Sequence, residues 1–74
     1  MTKQRIKEYV VYEFIDDECQ GNDYVTTFEE AERIAMDLYN NGSDVVICGV
    51  DYKSNEIDLG DRGNYTHEKE DDDE

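Results

Sequence analysis

An α+β fold, with one helix packed on a three- to four-stranded antiparallel sheet in the order β-β-α-β-β, follows from three features of this sequence. Residues 6–15, IKEYVVYEFI, are rich in Val, Ile, Tyr and Phe and contain neither Gly nor Pro, the composition of a strand. Residues 27–42 carry a helix start signal, an apolar stripe at helical spacing and a Gly stop. Residues 45–52, VVICGVDY, followed by the alternating Glu56-Ile57-Asp58-Leu59, read as two further strands. Runs of strands on either side of a single helix give a two-layer architecture.

The first strand places Val10, Tyr12 and Phe14 on one face, with Ile6 in the same phase, and Tyr9, Val11 and Ile15 on the other beside Glu13. Apolar residues on both faces predict a strand inside the sheet. Residues 16–23, DDECQGND, read as a turn, because Gly21 and Asn22 tolerate positive φ. Tyr24 and Val25 then supply a short second strand that closes a hairpin.

Thr27-Phe28-Glu29-Glu30 matches the capping box, with Thr27 as N-cap and Glu30 three residues later. Acids in the first turn suit the positive end of the helix dipole. Phe28, Ala31, Ile34, Ala35 and Leu38 form one stripe, and Glu29, Glu30, Glu32, Arg33 and Asp37 lie off it. Asn41-Gly42 ends the helix, with Gly42 in the left-handed position after the cap.

In the next strand Val46, Cys48, Val50 and Tyr52 share a face, while Val45 and Ile47 make its start apolar on the other side too. Lys53-Ser54-Asn55 is a turn. Ile57 and Leu59 point inward and Glu56 and Asp58 outward, the pattern of a half-solvated strand. From Gly60 onward Gly, Asp and Asn dominate. Residues 1–63 therefore read as a single domain and residues 64–74 as a disordered acidic tail.

The 74 residues carry 21 Asp or Glu against 7 Lys or Arg, a net charge of −14. A direct nucleic-acid binder needs basic patches to displace phosphate counterions, so none is expected here. No apolar run spans a membrane, and no apolar segment follows Met1–Lys7 to make a signal peptide, so the expectation is a cytoplasmic protein away from membranes. In that compartment Cys19 and Cys48 are expected as free thiols. A core this small seldom supplies more than about 3–5 kcal/mol, which makes a homodimer a reasonable expectation.

Catalytic chemistry finds little support. An EF-hand register starting at Asp16 puts Gly21 correctly at its sixth place, but Thr27 stands where the bidentate Glu belongs. Paired carboxylates need a concave, partly dry site, for which the chain has little volume. His67 is the single histidine and falls in the tail, where no fixed geometry is expected to hold it. Neither a phosphate-binding Gly loop nor a nucleophile with a positioned base is present, and the Asn64-Tyr65-Thr66 sequon reads as a chance match. No enzyme, cofactor or metal is expected. Of the six Tyr, Tyr12, Tyr39 and Tyr52 read as core or core-edge residues, and Tyr9 and Tyr24 as exposed on the sheet.

The acids themselves are the candidate functional feature. Residues 8–61 hold fifteen acids and two bases, Arg33 and Lys53, so the folded part carries −13, beyond the roughly 2–8 net charges that keep a small domain soluble. Self-repulsion at this charge destabilises the compact state. Outward carboxylates two apart on a strand are about 6.6 Å apart, and those three or four apart on a helix about 5–6 Å. Such spacings are of the order of neighbouring DNA phosphates. The candidate partner-binding residues are Asp16, Asp17, Glu18, Asp23, Glu29, Glu30, Glu32, Asp37, Asp51, Glu56, Asp58 and Asp61.

In size, acidity and α+β organisation the chain resembles the small DNA-mimic proteins that bacteriophages encode to take over host DNA-binding proteins. The resemblance covers the whole chain and rests on no motif, so it carries over no individual residue. It implies a non-enzymatic inhibitor acting in the cytoplasm of a bacterial host cell on a basic DNA-binding protein, first of all a histone-like nucleoid protein such as HU. The alternative is a small regulatory or adaptor protein that binds through the apolar second face of its sheet or through a strand edge.

Overall fold

Ten residues with no helix breaker, Ile6–Ile15, form strand β1. In the computed structural model, which describes residues 5–67, this strand lies between two antiparallel neighbours, as its two apolar faces require. They are β2 (Glu18–Val25) and β3 (Asp44–Asp51), and β4 (Glu56–Asp58) continues the sheet beyond β3 in the order β2-β1-β3-β4. Helix α1 (Phe28–Asn40) connects β2 to β3, and a 3₁₀ turn at Gly60–Gly63 leads into the two-residue β5 (Asn64–Tyr65), which also pairs with β3. The α+β fold of one helix on an antiparallel sheet stands as the sequence predicts. Among the described residues no helix is long and apolar enough to cross a membrane.

The first hairpin differs from expectation. Its turn is only Asp16-Asp17, both left-handed with φ of 53° and 68°, as a two-residue type I′ turn needs. Asp tolerates that region because its short polar side chain can bond locally. Gly21 and Asn22, expected in the turn, lie inside an eight-residue β2. The strand pairs Gly21 with Glu13 and Cys19 with Phe14, leaving Gln20 as a bulge. β2 is an edge strand exposed from Glu18 to Tyr24, so it shows no apolar alternation.

A second irregularity moves Ile6. Ile6 pairs with Asp51 and Glu8 with Val50, which leaves Lys7 extra. The shift turns Ile6 away from the Val10 phase and onto the helix side, where its Cδ1 would lie 2.9 Å from a Cβ on Gly49.

The core lies between α1 and one sheet face. Val11, Val45 and Ile47 from the sheet meet Ala31 and Ala35 from the helix, with Tyr9, Phe28, Ile34 and Leu38 packed around them. Burying each Val or Ile contributes about 1.5–3 kcal/mol. Tyr9 is half-buried with its ring edge-on to Phe28 at 5.5 Å, whereas Tyr52 is 68% exposed, so these two exchange their expected places. Both helix ends lie where they are read, and of the capping box the Thr27 half forms among the described residues. Thr27 Oγ1 accepts from the Glu30 amide at 3.2 Å. Gly42 has φ +100°, and its amide and that of Ser43 donate to the Tyr39 and Leu38 carbonyls, a Schellman closure.

The outer edge of β3 is shared. β4 takes Cys48 to Val50, β5 takes Val45 and Val46, and Gly63 lies against Ile47 between them. A Cβ on Gly63 would stand 2.2 Å from the Ile47 carbonyl oxygen. Asn64 and Tyr65, assigned to the tail by composition, thus belong to the sheet. His67 is also held: its ring stacks on Tyr39 at 4.1 Å, and its amide donates to Asp44 at 2.9 Å. The remainder of the expected tail, residues 68–74, lies outside the described residues.

Candidate partner-binding surface

The predicted acids fall into three groups, set by the elements that carry them. Glu29, Glu30, Glu32 and Asp37 stand exposed on α1, because the apolar stripe turns the opposite side of the helix to the sheet. Glu29 and Glu32 flank Arg33 and the exposed Met36 in a shallow depression. Glu32 also accepts from the Tyr65 hydroxyl at 3.3 Å. Burial raises the Tyr65 phenol, and the Glu32 charge and hydrogen bond push the same way.

The second group sits on the first hairpin. Asp16 and Asp17 are its turn and Glu18 opens β2, while Asp23 lies opposite Val11 on the helix side. Asp16 and Asp17 border a cleft with Phe14, Gly42, Asp44 and His67. It lies at the C-terminal end of α1, whose last turn contains no basic residue, so the helix dipole adds negative potential there.

The third group surrounds β4. Asp51 Oδ1 accepts from the amides of Lys53 and Asn55, both at 2.8 Å, and closes the β3–β4 turn in which Ser54 is left-handed. The Asn55 amide bond, joined by that of Lys53, holds the Asp51 carboxyl below its usual value. Asp58 accepts from the Gly60 amide at 3.0 Å and Asp61 follows in the 3₁₀ turn. Glu56 accepts a short hydrogen bond from the Tyr12 hydroxyl.

The pairing register shows what Glu56 and Asp58 belong to. Successive pairs run in rows across the sheet face opposite the helix. Glu8, Val50 and Glu56 make one row. Tyr24, Val10, Cys48 and Asp58 make the next. Asn22, Tyr12, Val46 and Asn64 make the third. Rows are separated by about 6.8 Å along the strands, and neighbours within a row by about 4.8 Å. Among the described residues no element packs on this face. Its valines are tightly set, Val10 at 0% and Val50 at 7% exposure, while Tyr24 is 55% exposed at the margin.

Three acids outside the predicted set have defined positions. Glu8 faces Val50 on the open side of the sheet, Glu13 accepts from the buried Ser43 hydroxyl at 2.7 Å, and Asp44 takes the His67 amide. For Glu8 the signal was the strand alternation, which puts it in phase with Val10 and Tyr12. The electrostatics of the open face follow from its neighbours. The Glu56 hydrogen bond, then burial, push the Tyr12 phenol up to about 12. Burial, with the Glu56 and Asp58 charges, raises the Cys48 thiol. Both cysteines are free. Among the described residues no group of three or more His, Cys, Asp or Glu is arranged to hold a metal ion, and the segment weighed as a Ca²⁺ loop is the turn and strand of the hairpin.

The twelve predicted residues thus form no single cluster. They coat the helix, the hairpin and the β4 side of one small domain. In comparisons with protein-family models, curated proteins and solved structures no match to this chain was found, and the functional reading rests on the residues and their geometry.

Proposed function

We propose that the protein is a non-enzymatic DNA mimic, which occupies the basic DNA-binding surface of a host protein and keeps DNA off it. The observation that carries this reading is the dense, mostly exposed and nearly unopposed set of carboxylates on an ordered domain, fifteen acids to two bases over residues 8–61. A basic groove meeting Glu29 and Glu32, or Glu56 and Asp58, finds negative charges about 5–7 Å apart. It releases its bound anions as it does on a duplex. The first partner to test is a histone-like nucleoid protein such as HU in the cytoplasm of a bacterial host, because such a protein reads backbone charge and shape and not base sequence.

The test is a fluorescence-anisotropy competition between this protein and a labelled duplex for purified histone-like nucleoid protein, repeated across a salt series. Displacement that weakens steeply with salt is expected. Failure to displace DNA from any basic partner tried, or affinity indifferent to salt, sinks the reading.

A regulatory or adaptor role through the open sheet face or the β2 edge is the second reading, favoured by the exposure of β2 from Glu18 to Tyr24. Extended peptides add to such edges by main-chain hydrogen bonds. Its mark is binding that survives neutralisation of Glu29, Glu30 and Glu32 but is lost when Tyr24, exposed on β2 where the edge meets the open face, is replaced by a charged residue. Tyr9 and Val11 pack in the core against the helix, so the face they occupy is not available to a partner.

A further inference from the structure

We infer that the sheet face opposite the helix is the contact surface, and that its occupant is an arginine-bearing segment of the basic partner. The inference rests on the proposed function for the sign of the partner's charge, and goes beyond it in naming the face and the side chain.

The face combines two kinds of group that suit a guanidinium. It offers aromatic rings, with Tyr24 at its margin and Tyr12 within it. Around them stand carboxylates on the margins of the valine rows: Glu8 on β1 and Glu56 and Asp58 on β4. A guanidinium is planar, stacks on aromatic faces and pairs with carboxylates through a fork of donors, whereas an ammonium is a compact, strongly hydrated point charge. Glu56 and Asp58 are two residues apart on one strand, and Tyr24 and Asp58 end the same row across the sheet. A guanidinium stacked on Tyr24 therefore leaves carboxylates within reach of its neighbours in an arginine-rich segment. The fold already uses this contact once, since the Arg62 guanidinium lies 4.8 Å over the Phe28 ring.

Charge selects among the occupants of the face. A second copy brings the same Glu8, Glu56 and Asp58 against themselves, on a chain of net charge −14. A duplex brings phosphates. A cationic segment alone neutralises the carboxylates at the margin while covering the rings.

The experiment titrates the full chain with octa-arginine and with octa-lysine at equal ionic strength by calorimetry, for the native sequence, Tyr24→Ser, Glu56→Gln and the pair Glu29→Gln with Glu32→Gln. Tyr24 is exposed, and the side-chain amide that Glu56→Gln introduces still accepts from Tyr12, so these variants are expected to fold, which circular dichroism verifies. Octa-arginine is expected to bind about two- to fivefold tighter than octa-lysine, as one exposed cation–π contact implies. Tyr24→Ser and Glu56→Gln should each erase most of that preference, while the helix pair should weaken both peptides alike. Equal affinity for the two peptides, a preference kept in Tyr24→Ser, or one lost in the helix pair overturns the inference. So does a native dimer in sedimentation that Tyr24→Glu dissociates, which gives the face to a second copy. The same variants in the duplex competition separate the two proposals. Native displacement of DNA with no arginine preference sinks the face alone, and arginine preference with no displacement sinks the mimicry alone.

Discussion

Tyr12 on the central strand donates its hydroxyl hydrogen to the carboxylate of Glu56 on β4, across the intervening strand β3 and 44 positions of sequence. The bond spans the face with a phenol that is half-buried and a carboxylate that is exposed. It ties the short, three-residue β4 to the middle of the sheet, and fixes one of the carboxylates on the face that Tyr24 borders.

Because Glu56 holds the proton on Tyr12 up to about 12, the folded chain stays protonated there while the unfolded chain titrates near 10. The folded state then binds more protons, so stability is fully present below pH 10 and is lost as pH rises toward 12. Tyr12→Phe is expected to cost about 1 kcal/mol at pH 8, the value of an ordinary hydrogen bond. That deficit relative to the native sequence should shrink between pH 10 and 12. Urea midpoints measured at pH 8 and at pH 11.5 check it. A deficit that stays constant would show that Tyr12 does not titrate through Glu56. Tyr65 and Cys48 are shifted upward too, so both proteins keep some alkaline slope.

Of the five glycines, Gly63 lies closest against its surroundings. An added Cβ would lie 2.2 Å from the Ile47 carbonyl oxygen, which is backbone and cannot swing aside as a side chain does. Gly63→Ala is expected to destabilise by about 1–3 kcal/mol, the range for overpacking. For a domain of this size each kcal/mol lowers Tm by about 4–8 °C. Gly21→Ala, where nothing lies within 4 Å of the new methyl, is the control and should leave Tm nearly unchanged. Equal Tm losses in the two variants would contradict the contact.

The helix ends give a prediction that was readable from sequence. Thr27→Ala removes the side-chain acceptor of the Glu30 amide and should cost about 1 kcal/mol. Gly42→Ala forces a Cβ into a left-handed residue at φ +100° and should cost a similar amount, on the order of 1 kcal/mol. Chemical denaturation of each variant measures both. The effects should add in the double variant, because the two ends share no partner.

What was legible in the sequence is what depends on neighbours along the chain. The stripe from Phe28 to Leu38, the caps at Thr27 and Gly42, and the two apolar faces of β1 all follow from local periodicity, and the structure has them. What was not legible depends on pairing. The long β2 buries almost nothing, so its residues carry no alternation, and two aspartates instead of Gly21-Asn22 make the turn. The bulge at Lys7 turns Ile6 over by one residue, which no side chain announces. β5 exists because Gly63 lets the chain pass against Ile47, a contact between positions 16 apart. The acids of the helix, the last strand and the turns were read as outward, yet their division among helix, hairpin and open sheet face, and the place of Glu8 in the third, required the register.

Carboxylates spread over every exposed element repel one another through water, so the compact state is under electrostatic strain at low ionic strength. At about 10 mM salt the Debye length is about 30 Å, comparable with the domain, and at about 0.15 M it is about 8 Å, so screening reaches most pairs of acids. Raising NaCl across that range is expected to increase Tm by roughly 5 °C, corresponding to about 1 kcal/mol. Neutralising the helix group with Glu29→Gln, Glu30→Gln and Glu32→Gln should increase Tm at low salt and reduce its dependence on salt. The low-salt gain should be less than the full salt effect, because Thr27 caps a first turn that Glu29 and Glu30 stabilise through the dipole. Differential scanning calorimetry at the two salt concentrations decides it. A Tm that is flat or falls with salt would mean that the carboxylates are compensated within the fold, and a surface so compensated would have little net charge to offer a basic groove.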